Sequence, residues 1–155
     1  MIQFFARILS PFLKLLDWLQ PLADLAARLW VSWIFLESGL VKIHAWQSTV
    51  MLFTYQYHVP WLPPYFAAVL GTACELILPI LLTLGLGGRI TILVFFIYNI
   101  VAVISYHYLW TPVGWNGLEQ HVSWGLLLAM LMTFGSSKLS LDYWIRKEYE
   151  HLLKK

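Results

Sequence analysis

Between residues 65 and 108 the chain carries only two formally charged side chains, Glu75 and Arg89, in an otherwise apolar run. Gly85, Gly87 and Gly88 divide that run into two segments, each of about 20 residues, the length of helix that crosses the hydrocarbon core of a bilayer. In hydrocarbon every backbone polar group needs an internal partner, so such segments fold as helices, and the glycines between them mark a C-terminal stop and a tight turn. Residues 22–43, about 33 Å long at helical rise, and residues 118–135 are two further candidates. At 155 residues, 60% hydrophobic and 12% charged, the chain has about half the charge of a soluble domain, which excludes a water-soluble single domain. The expected fold is all-α: an integral membrane four-helix bundle preceded by an N-terminal interfacial amphipathic helix. It is one membrane domain over residues 1–155, with helices at about 22–43, 65–86, 89–108 and 118–135 and a cytoplasmic tail at 136–155.

The first twenty residues read as the interfacial helix. Gln3, Arg7, Ser10, Lys14 and Asp17 recur at helical spacing, while Phe5, Ile8, Leu9, Phe12, Leu16 and Leu19 fill the other face. Arg7, Lys14 and Asp17 interrupt what would have to be the apolar stretch of a cleaved signal peptide. Ser10 followed by Pro11 reads as an N-cap and first turn, so a break is predicted there. Residues 44–64 form a long loop rich in aromatic residues and proline, and residues 109–117 a short one. Neither contains Lys or Arg, whereas the N-terminal segment has Arg7 and Lys14, the middle turn has Arg89, and the tail has Lys138, Arg146, Lys147, Lys154 and Lys155. The positive-inside rule therefore places both termini in the cytoplasm of a bacterial-type inner membrane. Trp46, Trp61, Tyr65, Tyr108, Trp110 and Trp115 then gather at the outer rim as an aromatic belt.

A net charge of +2 and a mean hydropathy of +0.70 give no reason to expect a nucleic-acid partner. The single cysteine, Cys74, excludes an intrachain disulfide and a multi-thiolate metal centre. No close ligand motif of the HExxH kind supports a metal site, and none is expected. The ionisable residues within the spans are the informative ones, because a charge in hydrocarbon is costly and pairs with another or lines a site. Glu37 falls about 9 Å from the outer end of the first span, Lys42 near that end, and Glu75 about 15 Å deep in the second. His107 ends the third span, and Glu119 and His121 begin the fourth. Arg28 sits in the inner half of the first. Arg28, Glu37, Lys42, Glu75, His107, Glu119 and His121 are thus the ligand-binding or proton-handling candidates, and no catalytic residue is identified.

Spacing narrows the geometry. Glu37 shares a face with Trp30, Trp33, Ile34 and His44, while Arg28 and Lys42 lie on the opposite side with Ser38 and Gly39. Glu75 lies on a stripe of Ala68, Gly71, Thr72 and Pro79, whose small side chains let another helix approach. A cross-helix pair of Glu75 with Lys42 or Arg28 is the leading expectation; the alternative for Lys42 is snorkelling to the headgroups. Asn99 and Tyr106, seven apart, add hydrogen-bonding groups to the same interior, and Glu119 has a separate explanation as a helix-start acid.

Three segments, RLWVSWIFLESGLVKI (28–43), ACELILPILLTLGLGGR (73–89) and GSSKLSLD (135–142), resemble the DoxX family of small four-helix membrane proteins over about residues 25–145. The resemblance makes Arg28, Gly39, Lys42, Glu75, Gly85, Arg89 and Asp142 the family-pattern positions. Ser136 and Ser137 depart from the Pro-Gly common there, and Glu37 and the loop at 108–117 lie outside the pattern. Family members resemble the membrane subunit of thiosulfate:quinone oxidoreductase, and others the membrane partners of soluble thiol or oxidative-stress enzymes. The resemblance implies a quinone-linked oxidoreductase subunit that binds a quinone or a small sulfur or thiol compound. No electron carrier is evident in the chain, so a soluble redox partner or second membrane subunit is implied. The other reading is non-catalytic: a scaffold or small-molecule carrier that partners a soluble protein or assembles as a homo-oligomer. In both readings the lipid bilayer is the first partner.

Overall fold

The structure, a computed structural model, describes the backbone of residues 2–135 and 137–152, with side chains from residue 9 onward. The pattern expected at Gln3, Phe5, Arg7 and Ile8, and the readings of Ser136, Lys154 and Lys155, lie outside the described residues. The chain is all-helical: α1 (Ile2–His44), α2 (Trp46–Tyr55), α3 (Pro64–Leu84), α4 (Gly88–Ser105), a short 3-10 turn (His107–Trp110), α5 (Trp115–Phe134) and α6 (Leu141–Leu152).

The four long helices close a ring in which α1 and α4 each pack on both α3 and α5. Each contributes to one core: Val31 and Phe35 from α1, Leu78 and Leu82 from α3, Ile92 and Phe95 from α4, Leu128 and Leu131 from α5. Large apolar residues also cover the outside, among them Trp33, Phe66, Ile77, Ile90, Ile97 and Leu126. In water that arrangement exposes far more contiguous apolar surface than a monomer carries. By length and composition, α3 and α4 are the described helices able to cross a membrane.

The local sequence explains where the central helices stop. Pro63 and Pro64 open α3, where a missing N–H costs nothing. Gly85 closes it in the left-handed conformation at φ +66°. The Gly85 amide then donates to Leu82 and the Leu86 amide to Leu81, satisfying the last carbonyls.

Three boundaries differ from the sequence-based expectation. No break falls at Ser10–Pro11: α1 continues through Pro11 and Pro21, since each proline removes a single backbone donor and leaves the remaining helical bonds to carry the element. The 44–64 segment is not wholly loop. Ten of its residues form α2, which buries Thr49 and Phe53 against neighbouring helices, so tertiary packing outweighs its β-branched and aromatic composition. The third span also stops early, at Ser105, where Tyr106 leaves helical geometry and pairs with Tyr57 across an isolated bridge.

Candidate functional site

Glu75 is 7% exposed and lies midway along α3. The small-residue stripe predicted around it is buried: Ala68, Gly71, Thr72 and Pro79 all face inward. Gly39 of α1 makes the approach possible, because a Cβ there would sit 3.0 Å from the Glu75 Cβ. Across that contact the Lys42 ammonium meets the Glu75 carboxylate at 2.6 Å and also donates to Ser38 Oγ at 2.7 Å. Of the two expected partners, Lys42 is the one that pairs, and it does not snorkel away.

The other carboxylate oxygen of Glu75 accepts a hydrogen bond from Tyr98 of α4 at 2.9 Å. Three helices therefore converge on one carboxylate, and charge-assisted hydrogen bonds of this kind are the strong ones. Behind Tyr98, Asn99 and His121 form a reciprocal link: Asn99 Nδ2 donates to the His121 carbonyl at 2.9 Å. The Asn99 Oδ1 can only accept, so His121 Nδ1 donates to it at 2.8 Å. Gly125 permits that approach of α5 to α4, with Asn99 Nδ2 only 3.2 Å from where its Cβ would lie.

A cavity of about 600 Å³ opens beside this cluster, and Lys42, Glu75, Tyr98 and His121 line it together with Tyr57, Cys74 and Ser105. Phe35, Phe53, Trp124 and the aliphatic side chains of α3 and α4 supply most of the wall. Phe35 is the hub of its aromatic side, in edge-to-face contact with Phe95, Tyr98, His121 and Trp124. The segment after α2 forms the rim, with Val59, Pro60, Trp61 and Leu62. It is tied down where the His58 amide donates to the Ser105 carbonyl at 2.8 Å. Burial, reinforced by Glu75, pushes the Tyr57 phenol up, which keeps it a protonated donor.

The remaining candidates lie elsewhere. Arg28 is 3% exposed at the other end of the bundle. It pairs with Asp24 at 2.9 Å, donates to the Leu139 carbonyl at 2.8 Å and to Ser137 Oγ at 3.1 Å, and adjoins a cavity of only about 20 Å³. Glu37 is exposed, in a groove between α1 and α2. His107 is exposed with its ring against His58. Glu119 is exposed and accepts from Trp115 Nε1 at 2.8 Å. Of the seven candidates, the structure brings together Lys42, Glu75 and His121.

Sequence reasoning missed Tyr57, Tyr98, Ser105 and Asp24. Asp24 stands four residues before Arg28, a helical pair spacing that would have found it. Tyr98 and Ser105 are seven apart on one face of α4, as Asn99 and Tyr106 are on the next.

The described chain is an all-helical membrane protein with buried charge in its interior. The family model for DoxX matches residues 23–108, and the chain belongs to the DoxX family. No curated protein and no solved structure matches it.

Proposed function

We propose that the chain is the membrane subunit of a redox system. It forms a single four-span membrane domain with both termini in the cytoplasm, and it binds a quinone in the cavity beside Lys42 and Glu75, in the outer half of the bilayer. The observation that carries the reading is the Lys42–Glu75–Tyr98 cluster opening on a cavity of about 600 Å³. A charge pair that served packing alone would be enclosed by its neighbours. Sites for small molecules are largely apolar, with a few convergent polar groups, at about 300–1,000 Å³, and this cavity fits that description. Its aromatic walls suit a flat ring, and they favour a quinone over a strongly hydrated sulfur anion.

A quinone, when bound, accepts two electrons and two protons; the electrons come from a soluble or membrane partner carrying a thiol or sulfur donor. The chain's own residues do the rest. Lys42 holds a donor toward the cavity while its pairing with Glu75 offsets the charge, and Tyr98 orients the carboxylate. Glu75, Tyr98 and Tyr57 are protonatable groups placed at the cavity, as proton supply to a ligand requires.

The test is extraction and mass analysis of small molecules that co-purify with the detergent-solubilised protein, comparing the unaltered chain with Glu75→Gln. Quinone retained by the first and lost by a well-folded second supports the reading. No ligand in either overturns it in favour of a scaffold or carrier.

A further inference from the structure

Ser105 is 1% exposed, lines the cavity, and its hydroxyl has no hydrogen-bond partner among the described residues. A buried hydroxyl left unpaired is costly, and native proteins leave few of them. Its backbone is fully used: the carbonyl accepts from His58, and the residue forms the last turn of α4. The side chain alone is left over: of the buried hydroxyls of Ser32, Thr72 and Ser105, which have no partner among the described residues, that of Ser105 belongs to a residue lining the cavity, where its α4 neighbours Val101 and Ala102 are apolar.

Ser105 stands seven residues beyond Tyr98 on the same face of α4, about 10 Å further along the helix. Tyr98, Glu75 and Lys42 form one polar end of the cavity, and Ser105 marks a second. Between them the α4 wall presents Val101 and Ala102. A ligand with a single polar head satisfies the first end and leaves Ser105 orphaned. A ligand with hydrogen-bond acceptors on opposite edges of a flat apolar ring satisfies both.

We infer that Ser105 is a ligand-binding residue that donates a hydrogen bond to the second carbonyl of a para-quinone-type ring whose first carbonyl lies at Lys42. This inference rests on the proposed quinone site and deepens it: it selects for diones over monoketones and over small sulfur anions. Because the hydroxyl has no protein partner, Ser105→Ala, which replaces it with a hydrogen, removes an unpaired polar atom and leaves folding intact.

The test is tryptophan-fluorescence titration of the full chain in detergent with para-naphthoquinone and with the corresponding monoketone, alongside thermal melts without ligand. Trp61 and Trp124 line the cavity and serve as reporters. The unaltered chain is expected to bind the dione about fivefold more tightly than the monoketone. Ser105→Ala is expected to erase that preference by weakening the dione alone, with an unchanged or raised melting temperature. Equal affinity of the unaltered chain for the two probes, or equal dione affinity in both proteins, overturns the role of Ser105 while leaving the quinone site standing. Dione bound by neither protein, with both folded, overturns the site itself.

Discussion

Helix α1 carries two inward-facing cations fourteen residues apart, Arg28 buried and Lys42 part-buried, and the bundle treats them in opposite ways. Arg28 is saturated: Asp24, the Leu139 carbonyl and Ser137 close around it, and Gly85 leaves no room, since a Cβ there would stand 2.6 Å from the guanidinium. Lys42 has two side-chain partners and a cavity of about 600 Å³ beside it. A planar guanidinium with five donors suits a site built from many fixed acceptors. An ammonium on a flexible stem suits one that must share its protons with a visitor. Burial alone therefore does not mark a functional charge; unfilled space next to it does.

Breaking each end tests that contrast. Arg28→Ala leaves Asp24 buried without its cation, and the expected destabilisation is about 3–5 kcal/mol, read as loss of folded protein in detergent melts. Lys42→Met strands the Glu75 carboxylate in the same way, but the cavity lets water reach it, so a smaller loss of about 2 kcal/mol is expected. Its more telling consequence is that quinone binding falls by more than tenfold, and that Lys42→Met combined with Glu75→Leu recovers the melting temperature without recovering binding. If the double variant binds as well as the unaltered chain, the pair is structural.

Gly39→Val sharpens the comparison by wedging α1 from α3 at the site. Overpacking of about 1–3 kcal/mol is expected, with the Lys42–Glu75 contact lengthened and ligand affinity reduced, while the Arg28 end stays intact by cysteine-accessibility mapping. Glu37→Gln gives the smallest effect. Its side chain is exposed in the groove between α1 and α2, outside the cavity, so the change in stability should stay within about 0.5 kcal/mol and binding should not move.

The sequence makes α3 and α4 legible because a segment long enough to cross a membrane must be nearly all apolar, and α3 ends at Gly85, a residue that releases the chain. The Lys42–Glu75 pair is legible for a related reason: two opposite charges inside apolar runs have few ways to be satisfied. The same logic groups Glu37 with them although it is exposed in a separate groove, since charge content does not reveal which face of a helix points inward. Tyr98 and Ser105 escape it because a tyrosine and a serine carry little penalty in a span and so raise no alarm. α2 escapes because its helicity comes from packing Phe53 and Thr49 onto the bundle, a contact between segments that no local pattern records. The cavity is an absence of atoms between five helices, and nothing local encodes that.

The reach of Arg28 to the Leu139 carbonyl spans 111 positions of sequence. Arg28 leaves the ribosome early and its carbonyl partner late, so during synthesis the guanidinium waits with Asp24 as its only charged companion. The contact thus exists only once residue 139 has been made, and it ties the segment before α6 back onto the first helix of the chain.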